Sequence, residues 1–145
     1  MNEATAVGFI GGDVTTTVTF AIKDKTDPNF SNADKNDATC EFVRRQGSTV
    51  TTLRIEVETM TGPPSSFATY ASRCRPRNVP VRAIGNEAVA CDFEGKKNSI
   101  SEQVVSRVRA RVFTVLITAS AGSVDRDLLR QEARNVAEQV AGFLF

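Results

Sequence analysis

The chain has 145 residues, of which 41% are apolar and 24% charged, with a formal net charge of +1. That length suits one domain spanning residues 1–145 with a sizeable core, and the composition argues against disorder. The near-neutral charge argues against a nucleic-acid partner, and no apolar run approaches the roughly 20 residues that span a bilayer.

From Met1-Asn2-Glu3 the chain enters patterned sequence at once, without a basic-then-apolar leader, which reads as a chain trimmed of its leader and by itself neither shows nor excludes export. Asn2 to Ile10 is predicted as a short helix, capped by Asn2 and stopped by Gly11-Gly12. Val14 to Ile22 alternates, with Val14, Val18, Phe20 and Ile22 on one side and Thr15, Thr17 and Thr19 on the other, which reads as a half-buried strand. Lys23 to Asp37 holds one large apolar residue, Phe30, and is read as a long mobile loop.

Two strands follow, Ala38 to Arg45 and Val50 to Thr59, joined by a turn at Gln46-Gly47-Ser48. In the second, Leu53, Ile55 and Val57 alternate with Arg54, Glu56 and Glu58, one dry face and one wet. Thr61-Gly62-Pro63-Pro64 ends it. Ser65 to Arg75 is predicted as a helix with Phe67, Tyr70, Ala71 and Cys74 on one stripe, and Pro76 and Pro80 bracket a loop.

The second half echoes the first. Asn36-Asp37-Ala38-Thr39-Cys40-Glu41-Phe42 returns as Asn86-Glu87-Ala88-Val89-Ala90-Cys91-Asp92-Phe93 with one residue inserted, so segments 36–75 and 86–144 form either an internal repeat or two chance-similar strand starts. After a turn at Gly95-Lys96-Lys97-Asn98 come strands from about Ile100 to Val108 and Arg111 to Ala119, joined tightly at Arg109-Ala110. A helix from about Val124 to Leu144 carries Leu129, Ala133, Val136, Ala137, Val140 and Leu144 as an apolar stripe, with Asp125 and Asp127 in its first turn. The fold class is therefore α+β, a mostly antiparallel sheet of about six strands with three helices, the long C-terminal helix packed on the sheet.

Chemistry is constrained by what is missing. With no histidine, the imidazole base, the Cys-His pair and the histidine metal ligand are all absent. With no tryptophan and a single tyrosine, Tyr70, stacking platforms and aromatic cages lack material. No serine sits in a nucleophile elbow, and Gly8, Gly11 and Gly12 do not follow a strand as a dinucleotide loop does. Asn32-Ala33-Asp34-Lys35-Asn36-Asp37 begins like a calcium loop, but Asp37 stands where glycine is needed and Val43 where glutamate is. Neither catalytic residues, nor a metal site, nor a cofactor is assigned, and the residue types point away from an enzyme.

Arg107, Arg109 and Arg111 alternate along the last hairpin as though on one face, with Arg73, Arg75, Arg77 and Arg82 nearby in sequence. They are candidate ligands for a carboxylate, a phosphate or an acidic protein, because guanidinium forks match those groups. The competing reading is a wet sheet surface on which Glu56 and Glu58 offset the arginines. Cys40 and Cys91 occupy equivalent strand positions with phenylalanine two residues on, which points both sulfurs inward, and Cys74 ends a helix. None has C-x-x-C spacing; the three are either reduced and buried or one disulfide plus an orphan.

Asn2-Glu3-Ala4-Thr5-Ala6 through Gly11-Gly12, Ala38-Thr39-Cys40-Glu41-Phe42, Ile84-Gly85-Asn86-Glu87-Ala88 and Arg107 to Phe113 resemble, along nearly the whole chain, small exported bacterial lipoproteins. These form a group of domains of unknown function, best represented in soil bacteria and actinobacteria. The resemblance implies a cell-envelope or extracellular address, membrane attachment only through an N-terminal lipid anchor, and a sandwich similar to the Mog1/PsbP type; it implies no activity. In such proteins a cysteine upstream of the first helix is lipid-anchored or disulfide-bonded, so the partner of Cys40 would lie before Met1. Cys74 leaves its helix into a proline-bounded loop whose return strand delivers Cys91, so a Cys74–Cys91 disulfide with Cys40 a free buried thiol is expected. The function expected is a non-catalytic exported binding or interaction module using a sheet face or the cleft beside the long loop, its partner a protein or a small anionic ligand. The alternative is a small-ligand carrier or enzyme using carboxylate and arginine groups in an α+β cleft, which requires at least one buried carboxylate with an arginine or amide partner, converging on a cavity of several hundred Å3.

Overall fold

The alternating segments pair as their pattern demands. In a computed structural model, which describes residues 3–20, 37–75, 77–95 and 98–145, β1 (Val14–Phe20), β2 (Ala38–Gln46), β3 (Thr49–Thr59), β4 (Val79–Pro80), β5 (Glu87–Gly95), β6 (Ser99–Val108) and β7 (Arg111–Ser120) form one sheet. Its order is β1-β2-β3-β7-β6-β5-β4, and every neighbouring pair is antiparallel. The long loop over 23–36, the calcium-like run from Asn32 to Asn36, and Ala21 and Ile22 of the first strand lie outside the described residues.

The sheet has seven strands where about six were expected. The additional one is β4, a two-residue strand that pairs Val79 with Ala90 and Pro80 with Val89 at the sheet edge. Its shortness and its proline hide it from any alternation pattern, and an edge is where proline is tolerated.

Period two assigns each strand residue a face. One face carries Phe42, Leu53, Ile55, Val104, Phe113 and Val115, and two helices cover it. The first, α1 (Glu3–Ile10), contributes Ala6 and Ile10; the last, α3 (Arg126–Leu144), contributes Leu129, Ala133, Val136, Ala137, Val140 and Ala141. The expected stripe holds except that Leu144 is only half-buried, while Ala141 is fully so. The N-cap of α3 is Asp125, whose carboxylate accepts from the backbone N–H of Asp127 and Leu128 at 2.9 and 3.2 Å.

The other face bears a smaller core. There α2 (Phe67–Ala71), entered through a 3-10 turn at Pro64–Ser66, lays Phe67, Tyr70 and Ala71 against Met60, Val105 and Val112. The helix is shorter than the expected Ser65 to Arg75, and Cys74 lies just beyond it, still buried at 2% exposure. Among the described residues no helix is long and apolar enough to cross a membrane.

Gly85 shows why the Ile84-to-Ala88 motif has its form. At φ +63° it adopts a conformation suited to glycine, and a Cβ there would stand 2.5 Å from the carbonyl oxygen of Arg107. The close approach lets the N–H of Asn86 donate to that same oxygen at 2.7 Å, and the Asn86 carbonyl oxygen (Oδ1) accept from the N–H of Arg109 at 2.7 Å. The motif thus clamps the β6–β7 turn.

Candidate functional site

The cysteines correct one expectation of the sequence. Cys74 and Cys91 are joined by a disulfide, with Cα atoms 5.5 Å apart, and Cys40 is free. Cys40 borders the larger core and is half-buried rather than buried, whereas Cys91 sits in the smaller core across the sheet. The aligned cysteines therefore do not occupy equivalent positions. Ala38 and Ala88 share a face, but the inserted Val89 shifts the register by one, and one residue flips a strand side chain to the other face.

The arginine trio is brought together only in part: Arg109 and Arg111 line one open depression with Phe143 and Leu144, and Arg107 does not. Arg107 pairs across the ladder with Glu87, donating from Nε to its carboxylate at 2.7 Å, and reaches the carbonyl of Arg109 at 2.9 Å. Arg109 occupies the turn at φ 55°. Arg111 is opposite Val108, whose side chain belongs to the α1–α3 face, so Arg107 and Arg111 project from opposite faces. Arg73 is likewise engaged: it forms an ion pair with Glu58 and stacks 4.8 Å from the Tyr70 ring centre. The hydrogen bond it donates to Glu58 raises its pKa, with burial opposing the rise and the nearby negative charge adding to it.

Charges that the pattern did not single out do converge. Glu102 on β6 points to the α1–α3 face, in phase with Val104 and Val108, and is 2% exposed. Above it, Arg126, Arg130 and Arg134 follow one another at four-residue spacing along α3, so they line one side of that helix. Asp92 on β5 receives Arg126 at 2.9 Å, and Arg130 donates to Asp127 at 2.7 Å. Arg130 comes only within 3.8 Å of Glu102 Oε1, too far for a hydrogen bond. Among the described residues, Glu102 Oε1 and Arg134 Nε are the buried side-chain polar atoms with no hydrogen-bond partner.

Burial drives the Glu102 carboxyl pKa up to about 7; Asp92 adds to the rise, while Arg130, Arg126 and Arg134 oppose it. Both orphaned atoms belong to residues lining a cleft of about 250 Å3 with Val79, Ala90 and Asp92. The sequence carries two signals of this site, an acidic residue in the apolar phase of a strand and the 126-130-134 spacing of arginines.

No protein-family model matches this chain, and no curated protein matches it. Function therefore rests on the site's own geometry.

Two other depressions are chemically quieter. A cleft of about 210 Å3 between α1 and the start of α3 is lined by Phe9, Ile10, Leu128 and Glu132, and its cation, Arg44, already donates to the Ile10 carbonyl at 2.9 Å and to Gln46. Burial raises the Glu132 pKa. On the open part of the other face, Arg54 and Glu56 form an ion pair at 2.5 Å beside Thr114 and Gln103. Among the described residues no cluster of three or more acidic or cysteine side chains is placed to hold a metal.

Proposed function

We propose that the chain is an exported, non-catalytic binding module that takes a small polar ligand into the cleft between α3 and the β4–β6 edge. The observation that carries this reading is Glu102: a carboxyl almost wholly buried, with one oxygen lacking a hydrogen bond and arginines alongside. Such a group costs stability unless something satisfies it, and buried polar atoms without partners are uncommon in folded proteins. The Cys74–Cys91 disulfide supports the exported, cell-envelope address, since such bonds persist in oxidising compartments. The resemblance to lipid-anchored bacterial proteins supports it too, and the sheet-and-helix architecture is compatible with the Mog1/PsbP-like sandwich it implies.

Amide-detected NMR screening of a library of small polar compounds tests the proposal. Hits should move resonances of Ala90, Glu102, Arg130 and Arg134 and be lost in Glu102→Leu. Hits confined to the Arg54–Glu56 face would refute it in favour of a sheet-face interaction module.

A second reading, an enzyme acting in the same cleft, is favoured by the Glu102 pKa of about 7, which suits proton transfer at neutral pH. It requires that Glu102→Gln abolish turnover of a ligand that still binds.

A further inference from the structure

We propose that the Glu102 cleft is a binding site for a small carboxylate, held jointly by Arg134 and by Glu102 in its protonated form. The inference rests on the binding-module reading above and names the ligand class that the cleft selects.

The orphaned atoms set the chemistry. Arg134 Nε is a donor and nothing else. Glu102 Oε1 accepts when ionised, but carries or shares a proton when neutral, and then the carboxyl donates. An acceptor entering the cleft therefore satisfies both at once. A cationic donor, such as an ammonium group, would satisfy Glu102, leave Arg134 Nε orphaned and add positive charge beside Arg126, Arg130 and Arg134. The acidic neighbours Asp92 and Asp127 are already engaged, by Arg126 and by Arg130.

Size and walls narrow the class further. A volume of about 250 Å3 admits only a small molecule, and Val79 and Ala90 offer apolar surface for a short carbon tail beside the charged end. A carboxylate meets that combination of one planar oxyanion and one apolar tail, and planar forks suit guanidinium donors.

Proton linkage follows. The groups facing Glu102 are Asp92 from β5 and Arg126, Arg130 and Arg134 from α3; β4 presents Val79. With Glu102 titrating near 7, binding of a carboxylate takes up a proton, and affinity falls roughly tenfold from about pH 6 to about pH 8.

The test titrates acetate, propionate and butyrate into the intact chain, with inorganic phosphate and methylammonium as contrasting probes, followed by amide NMR at both pH values. The expected result is saturable movement of the Ala90, Glu102, Arg130 and Arg134 resonances by the carboxylates, tighter at the lower pH. Glu102→Gln, a permanent donor of nearly the same shape, should bind with no pH dependence, and Arg134→Met should lose about tenfold in affinity while melting as the parent does. Saturable binding of phosphate or methylammonium alone would overturn the carboxylate assignment and leave the binding-module reading standing. So would carboxylate binding that ignores pH in the parent. No movement of these resonances by any probe, with ordered water filling the cleft, would overturn both.

Discussion

The two faces of the sheet bury their side chains by different means. On the α1–α3 face a continuous apolar layer runs from Phe42 through Phe113 and Val115 to Val136 of α3, and two helices close it. On the other face the apolar patch is confined to one end, where a one-and-a-half-turn helix is held down by Met60, Val105, Val112 and the Cys74–Cys91 bond. Beyond that patch the face carries Arg54, Glu56, Gln103 and Thr114 around Leu116. A large face can rely on area alone, whereas a five-residue helix buries too little to hold its place without help, and the covalent link supplies it. Among the described residues, Glu102 is the buried charged side chain that interrupts the larger layer, and that is where the candidate site lies.

The sharpest way to break this comparison is Val136→Asp. Val136 is fully buried at the middle of α3, so a carboxylate there combines lost apolar burial with an unpaired buried charge. It should remove most of a typical domain's roughly 5–15 kcal/mol. A thermal melt within a few degrees of the parent would show that the larger face does not depend on α3.

Removing the disulfide should cost less and act on the other face. Cys74→Ala with Cys91→Ala opens a loop with a sequence separation of 17, worth about 3 kcal/mol in the chain-entropy model. Urea unfolding measures the loss, and hydrogen exchange should rise first in α2 and β4. Cys40→Ser should lower stability by about 1 kcal/mol or less, since its side chain is only half-buried.

Glu102 sharpens the contrast within the larger face. Its folded pKa is raised from 4.5 to about 7, so the native state binds the proton more tightly than the unfolded chain. Stability from this group is therefore greatest below pH 4.5 and is lost as pH rises through about 7. Relative to Glu102→Gln, the parent should lose up to about 3 kcal/mol across that window, measured by urea unfolding at a series of pH values. A constant difference between the two would show that Glu102 is not desolvated. At the bottom of the scale, Arg54→Ala on the open face should change stability by no more than about 0.5 kcal/mol, because its ion pair with Glu56 is exposed and screened by solvent.

Most of the architecture was legible because burial on one face writes itself into period two. Leu53, Ile55 and Val57 against Arg54, Glu56 and Glu58 announced β3, and the stripe from Leu129 to Val140 announced α3. The Cys74–Cys91 pairing was also foreseen, because the chain between them folds back over a short span. What failed were inferences that needed register. Arg107 and Arg111 looked like neighbours on one surface, yet the Arg109-Ala110 turn between them places them on opposite faces. Cys40 and Cys91 looked equivalent, yet one inserted residue sends them to different cores.

By itself, then, the amino-acid order determined where the long strands and the C-terminal helix run, which side of each is apolar and which chemistries lack their residues. Those are local properties, set by side-chain type and the geometry of a single element. Only the tertiary structure decided that Glu102 of β6, Asp92 of β5 and Arg130 and Arg134 of α3 meet at one cleft. Their convergence depends on the crossing of a helix over two strands, and no spacing along the chain encodes which strand a helix will cover. The cost of burying Glu102 arises from its neighbours in space, which is why its altered acidity appears only once the fold is known.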